Sequence, residues 1–262
     1  MSDTLTLARS QTAPATRGLL ARCLFLSYGV LVYALFLGTF LYVMGFLFGV
    51  LVPKDVNAGE VGSVWTALAV NGACLGAFAL QHMIMARPAF KRAWTRIVPS
   101  AAERSTFVLA ASLILIALVA SWRPLPGVVW HVDGPAAWLL HAVSLAGWAT
   151  VLYATFLIDH FELFGLRQSV AAFLGRESRG PKFVERSLYR VVRHPLMSGF
   201  IVAFWATPHM TWGHLFFAVM TSGYALLGTL IEERDLVAAH GESYRDYKRR
   251  VRAFLPIPRR AA

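Results

Sequence analysis

The chain has 262 residues, of which 57% are hydrophobic and only 15% charged, and it carries a formal net charge of +11. Such a composition is too apolar for a soluble domain and the length is too great for a single anchor, which leaves a bundle of membrane spans. The basic excess would suit a nucleic-acid partner, but Lys and Arg fall between apolar runs in alternate loops, and no polar segment is long enough for a nucleic-acid-binding fold.

Residues 1–17 are polar, rich in Thr, Ser and Ala, and read as a mobile tail outside the bilayer, with a single integral membrane domain over 18–262. A bilayer core of about 30 Å needs roughly 20 apolar residues per helix. The runs here are continuously apolar and do not alternate, so helices are expected and a barrel is not. The first predicted span covers about Cys23–Val52, far longer than a secretory signal core. A loop from Pro53 through Gly62 carries Lys54, Asp55 and Glu60, and a second span follows to about Met85. Arg87, Lys91, Arg92, Arg96 and Arg104 crowd the next connection. A third span, about Ser105–Trp122, has Ser105 or Thr106 as its candidate cap and ends at Arg123-Pro-Leu-Pro-Gly127; a fourth covers about Ala136–Ile158. Cys23 and Cys74 lie in or beside these spans and read as small buried hydrophobes.

Placing the amino terminus in the cytoplasm puts 23 of the 25 Lys and Arg residues on that side and leaves only Lys54 and Arg123 outside. The positive-inside rule selects this orientation, with both termini and the charged segment 159–195 in the cytoplasm. The apolar stretch Leu196–Ile231 is interrupted at Pro208, His209, Trp212, Gly213 and His214. The piece before the break is about a dozen residues, or about 18 Å, which predicts a helical hairpin whose first arm does not fully cross. Beyond it Leu236, His240, Tyr244, Tyr247, Val251 and Phe254 recur at steps of three or four, among Arg245, Lys248, Arg249, Arg250 and Arg252. That pattern predicts a C-terminal amphipathic helix at the cytoplasmic interface, readable by itself as an anchor on acidic lipids. The expected fold is an all-α polytopic bundle of about four full spans plus the hairpin.

Several polar residues sit where the chain meets the membrane surface. Pro195 opens a helix, and its free N–H groups, with Arg193 and His194 beside them, suit a carboxylate or phosphate; an interfacial arginine and a capping histidine are the plainer account. Glu232 and Glu233 close the hairpin, either to bind a cation or a ribose diol or simply to reach water and pair with an arginine. Gln81 and His82 end the second span, lining a polar cavity or bonding a neighbouring helix. Asp159, His160 and Glu162 follow the fourth span as candidate bases or as a solvated helix end. None of the eight histidines forms a metal-binding His-x-x-x-His pair, so no metal site is expected.

Together and in this order, these pieces resemble a known family. The run Tyr189-Arg-Val-Val-Arg-His-Pro-Leu-Met-Ser-Gly199, followed by Glu232-Glu233, Leu236, Gly241, Tyr244, Tyr247, Val251, Phe254 and Pro256, resembles the C-terminal signature of isoprenylcysteine carboxyl methyltransferase-type membrane enzymes. Upstream, Gln81-His-Met-Ile-Met-Ala-Arg-Pro88, Trp94, Pro99 and Glu103-Arg-Ser-Thr106 are similar to the NnrU and nurim branch, to which bacterial methanethiol S-methyltransferases belong. The resemblance implies a bacterial inner-membrane enzyme that methylates a small volatile thiol with S-adenosyl-L-methionine, without an obligate protein partner. It implies cofactor contacts from Tyr189, Arg193, His194, Pro195 and Gly199 on one side and from Glu232, Glu233, Tyr244 and Tyr247 on the other, within about 159–256.

Met197 stands where prenyl-cysteine enzymes often have Tyr, which disfavours a bulky lipidated acceptor. Arg193 and His194 then suit the cofactor carboxylate, Glu232 or Glu233 its amino group or ribose, and Tyr244 and Tyr247 its adenine. A thiol reacts as thiolate and needs a base or an electropositive pocket, for which His82, Asp159 and His160 are the candidates. A lipid or prenyl-cysteine methyltransferase and a non-enzymatic membrane scaffold are the competing readings.

Overall fold

The structure, a computed structural model, describes residues 18–176, 178 and 185–256; the predicted polar tail, 1–17, lies outside the described residues. Long helices dominate: α1 (Leu19–Phe48), α2 (Val64–Met85), α4 (Ser100–Ser121), α5 (Pro135–Ile158) and α9 (Trp212–His240), with the short α3 (Pro88–Trp94) between α2 and α4. The five long ones are apolar and long enough to cross a membrane, so the chain is a multi-pass membrane protein. The shorter α6 (His160–Leu163), α7 (Leu166–Phe173), α8 (Pro195–Trp205) and α10 (Glu242–Arg250), a 3-10 turn at Ser187–Arg190, and strands β1 (Val128–His131) and β2 (His209–Thr211) complete the described elements.

The long helices pack in the order α5, α8, α9, α2, α4, α1, and Phe40 of α1 meets Trp148 of α5 edge to face at 5.3 Å to close the ring. Two ends result. One carries the strands and the loop after α1 and is called the ribbon end; the other, with α3, α6, α7 and α10, is the basic end. The ribbon end is closed by aromatic side chains in edge-on series: Phe46 on Trp122 (5.8 Å), Trp122 on Phe217 (6.0 Å), Phe217 on Phe204 (5.2 Å) and Phe204 on Trp148 (5.7 Å). Several of its buried polar groups are paired with backbone. Asn71 donates to the Arg123 carbonyl (2.8 Å) and accepts from its N–H (2.9 Å), and the Trp122 indole donates to Val56 O at 3.0 Å.

Where boundaries differ from those expected, local chemistry explains it. The first span ends at Phe48, four residues earlier than predicted, because Gly49 adopts a left-handed conformation (φ 68°) and its N–H bonds Gly45 O at 2.8 Å. The third begins at Ser100, after Pro99, with Glu103 in the first turn where the helix dipole favours it. Ser105 and Thr106 therefore do not cap it: Thr106 donates back to Ala102 O at 2.9 Å, and Ser105 donates to Gly165 O at 3.4 Å.

The hairpin's first helix, α8, has 11 residues, about 16 Å at about 1.5 Å per residue, too short to cross, as predicted. The chain nevertheless reaches the ribbon end, by extended backbone and not by helix. After Trp205 the chain continues extended into β2, which pairs antiparallel with β1 at the far end of α4. Trp130 Nε1 bonding Thr207 O (2.9 Å) and Val132 N bonding Pro208 O (2.9 Å) satisfy carbonyls that a helix would have satisfied internally. The C-terminal amphipathic stretch is likewise divided: Leu236 and His240 end α9, Gly241 turns the chain at φ 58°, and α10 begins at Glu242.

Candidate active site

At the basic end, α8 starts with Pro195 in its first turn, so the missing proline N–H costs nothing there. The preceding residues run beside the segment after α10: Val192 bridges Arg252, Arg193 N donates to Arg252 O at 2.8 Å, and His194 N donates to Ala253 O at 3.0 Å. This pairing brings residues some 60 positions apart over the end of α9, where the two glutamates sit.

Glu233 is buried, and its carboxylate is saturated. Arg193 donates to Oε1 through both Nε and a terminal nitrogen at 2.7 Å, His194 Nε2 donates to the same oxygen at 3.1 Å, and Lys248 Nζ reaches Oε2 at 2.7 Å. The other terminal nitrogen of Arg193 donates to the carbonyls of Lys248 (3.2 Å) and Val251. A charge removed from water must be paired and hydrogen-bonded to be tolerated, and this network does so by tying α8, α9 and α10 together. Arg193 thus differs from its sequence expectation: its guanidinium is engaged inside the protein. Glu232, one residue earlier, has a side chain half exposed (50%), and His194 Nδ1 is the one cation within ion-pair distance among the described residues, at 3.7 Å.

The aromatic residues of this end are placed alongside. Tyr244 and Tyr247 are buried against each other, Val251, Leu236 and Val237, so they form the core of the α9–α10 cap. The Tyr247 hydroxyl donates to Tyr189 O at 2.5 Å. Burial pushes Tyr247 up to about 12, with Glu185 adding to it; Tyr189 rises through burial and the neighbouring Glu232, and Tyr244 through burial and Glu233. Gly199 faces the opposite way. A methyl group there would lie 2.8 Å from Gly147 O and 2.9 Å from Val151, so this glycine lets α8 and α5 touch.

The three candidate bases are not together. Asp159 caps α6, accepting from Glu162 N at 3.2 Å, and pairs with Arg167 at 2.9 Å. His160 is held between α1 and α5: Nδ1 is 2.8 Å from Thr155 Oγ1, Nε2 is 2.8 Å from the Tyr33 hydroxyl, and the ring stacks on Phe156 at 4.3 Å. Thr155 gives its own proton to Leu152 O at 2.6 Å, so it accepts from His160 Nδ1–H, and the Nε2 lone pair accepts from Tyr33. That lone pair is occupied. His82, on α2, lies in another wall, with its ring 4.7 Å from Phe107, 5.1 Å from Phe78 and 6.3 Å from Tyr224 of α9. Its Nδ1 is closed off from solvent and has no hydrogen-bond partner, as is also true of Gln81 Oε1 beside it.

Sequence reasoning missed the roles of Lys248 and Tyr224. Lys248 lay unmarked in a run of basic residues, and only the return of the chain beside Val192 brings it to Glu233. Tyr224 had a faint signal: a hydroxyl two helical turns before Glu232 on the same helix.

No family model matches the chain, and no solved structure matches it. Among curated proteins it is 49% identical over 236 residues to methanethiol S-methyltransferase 2 of Bradyrhizobium diazoefficiens, covering 90% of this chain and 91% of that one. It is 50% identical over 240 residues to the methanethiol S-methyltransferase of Mycobacterium tuberculosis, covering 91% and 98%. A nurim homologue of Drosophila pseudoobscura pseudoobscura is more distant, at 26% identity over 204 residues, covering 75% and 80%. Identity of about half over nine-tenths of the chain places it in the methanethiol S-methyltransferase family.

Proposed function

We propose that the chain methylates methanethiol to dimethyl sulfide with S-adenosyl-L-methionine as donor. The observation that carries this reading is the meeting of α8, α9 and α10 around Glu233, in a chain about half identical to proteins named for that activity. The residues present fit the donor. Beside the buried, saturated Glu233 stands a half-exposed carboxylate, Glu232, adjacent to His194 and the start of α8, which suits the donor's ammonium or ribose hydroxyls. When bound, S-adenosylmethionine supplies an activated methyl group on a sulfonium.

The protein's own tasks are to orient, to exclude water and to take a proton. Glu232 and His194 form one end of the donor site, with Arg193 and Glu233 fixing His194 behind them. The aromatic series at the ribbon end closes the far side against water. His82 is the base that fits best: its Nδ1 has no partner, whereas both nitrogens of His160 are engaged and Asp159 is committed to a cap and an ion pair. A small apolar thiol partitions into the bilayer and needs no polar entry route. An apolar pocket gains only about 1–3 kcal/mol per methylene, so ethanethiol is a slower substrate while a prenyl-cysteine is excluded by size.

The test is headspace detection of dimethyl sulfide from purified protein, S-adenosylmethionine and methanethiol, with prenyl-cysteine and phospholipid acceptors in parallel. Volatile product with the thiol alone is expected; methylation of only the lipidic acceptors would overturn the reading. The charge asymmetry also supports an inner-membrane orientation with the basic end cytoplasmic. In a background lacking Cys23 and Cys74, an impermeant thiol reagent applied outside intact cells should then label a cysteine introduced at Ala58 and spare one introduced at Ser178, and the reverse pattern would invert the orientation.

A further inference from the structure

With Arg193 engaged by Glu233 and two carbonyls, the carboxylate of an amino-acid-bearing donor needs a different cation. Arg104 meets that requirement. It lies in the second turn of α4 at the basic end, where its Nε donates to Leu163 O at 2.7 Å and its guanidinium sits 4.6 Å over the Phe107 ring. Its two terminal nitrogens have no acceptor among the described residues, and no carboxylate there lies within ion-pair distance; Glu103 and Glu162 act on it only from further away. A half-buried guanidinium set over an aromatic ring with its two terminal nitrogens free presents a planar edge that matches a carboxylate.

The neighbours of Arg104 extend toward Glu232. Phe107 stands edge-on to His82 at 4.7 Å, His82 to Tyr224 at 6.3 Å, and Tyr224 lies within electrostatic reach of Glu232. Along this wall His82 Nδ1 and Gln81 Oε1 are buried without partners, as polar groups are when their partner is a ligand. One series of side chains across α4, α2 and α9 therefore has a free cation at one end and a half-exposed carboxylate at the other, a separation that exceeds that between the two charges of one amino acid and suits the carboxylate and the ribose of one elongated donor.

We propose that Arg104 binds the carboxylate of the methyl donor's amino-acid end while Glu232, at the other end of the series, takes its ribose hydroxyls. The proposal rests on S-adenosylmethionine being the donor, and its test separates the two claims. Binding of S-adenosylmethionine and of its decarboxylated analogue, which lacks only the carboxylate, is measured by calorimetry on the purified full chain and on Arg104→Gln and Arg104→Lys. The wild type should prefer the carboxylated ligand by roughly 10- to 100-fold, the range for a hydrogen-bonded charge pair. Arg104→Gln should bind both ligands with the wild type's affinity for the decarboxylated one, which also serves as its folding control, and Arg104→Lys should keep part of the preference.

A preference unchanged in Arg104→Gln, or an equal loss for both ligands, overturns the assignment. If the preference persists while the pH profile of turnover moves upward, Arg104 serves the thiolate instead, and the proposal is likewise overturned. Wild-type protein that binds neither ligand sinks the donor assignment itself.

Discussion

The two ends of the bundle solve the burial of polar groups in opposite ways. At the ribbon end, Asn71, Trp122, Trp130 and Ser144 each bond backbone at 2.8–3.0 Å, and the space between them is filled by aromatic rings. At the basic end several buried groups are charged and pair with one another, and others, among them His82 Nδ1, Gln81 Oε1, Gln168 Oε1 and the Arg104 fork, have no partner among the described residues. Neutral side chain–backbone bonds hold one arrangement and have no use for a ligand. Charged networks with free positions can be completed by one. The difference teaches where stability and where recognition reside, and the adjacent glutamates show both within a single helical turn.

The largest effect expected is on stability, from Glu233→Ala. Its removal leaves the buried Arg193, and the more exposed Lys248, without their carboxylate, and breaking a buried pair from one side costs about 3–5 kcal/mol. Thermal unfolding in detergent should show the loss, and an unchanged midpoint would mean that the cap does not depend on this network. Glu232→Gln is the contrasting case. The side chain is half exposed and lacks a close partner, so stability should stay within about 0.5 kcal/mol of wild type. Affinity for S-adenosylmethionine should instead fall about 10-fold or more, as for loss of a charged hydrogen bond. Equal destabilisation by the two substitutions would break the division between a structural and a recognising carboxylate.

Sequence alone made the basic end visible as a set of residues but not as an arrangement. The spans were legible because hydrocarbon demands about 20 apolar residues whatever the neighbours are, and the break at Pro208 and Gly213 followed from backbone chemistry. The ribbon was not legible: Val128–His131 and His209–Thr211 carry no strand signal by themselves, and each is a strand only because the other supplies its partners. The same holds at the site. Arg193, His194, Glu232 and Glu233 could be named from order and resemblance, yet which carboxylate Arg193 would meet depended on the parallel bridge between Val192 and Arg252, a contact across 60 residues. Tyr244 and Tyr247 had the right period for an interfacial helix, but the turn at Gly241 folds them onto Leu236 and Val237.

His160 offers the smallest and most discriminating effect, because it belongs to the basic end by position and to the ribbon end by behaviour. Both ring nitrogens are satisfied by hydroxyls at 2.8 Å, and burial between Phe156, Phe161 and Phe164 lowers its pKa despite the opposing pull of Asp159. A histidine whose folded pKa lies below its unfolded value of about 6.5 binds its proton more readily when unfolded. Its contribution to stability is therefore complete above about pH 6.5 and is lost as the pH falls below that. The melting temperature of the wild type should drop between about pH 6.5 and pH 5, and part of that drop should vanish in His160→Gln. Turnover of folded His160→Gln at neutral pH should stay within a few-fold of wild type, since the Nε2 lone pair that a base would need already accepts from Tyr33. A folded variant with no turnover would return His160 to the chemistry and remove the contrast with His82. A variant with the full pH dependence of the wild type would show that another group, not this imidazole, titrates with unfolding.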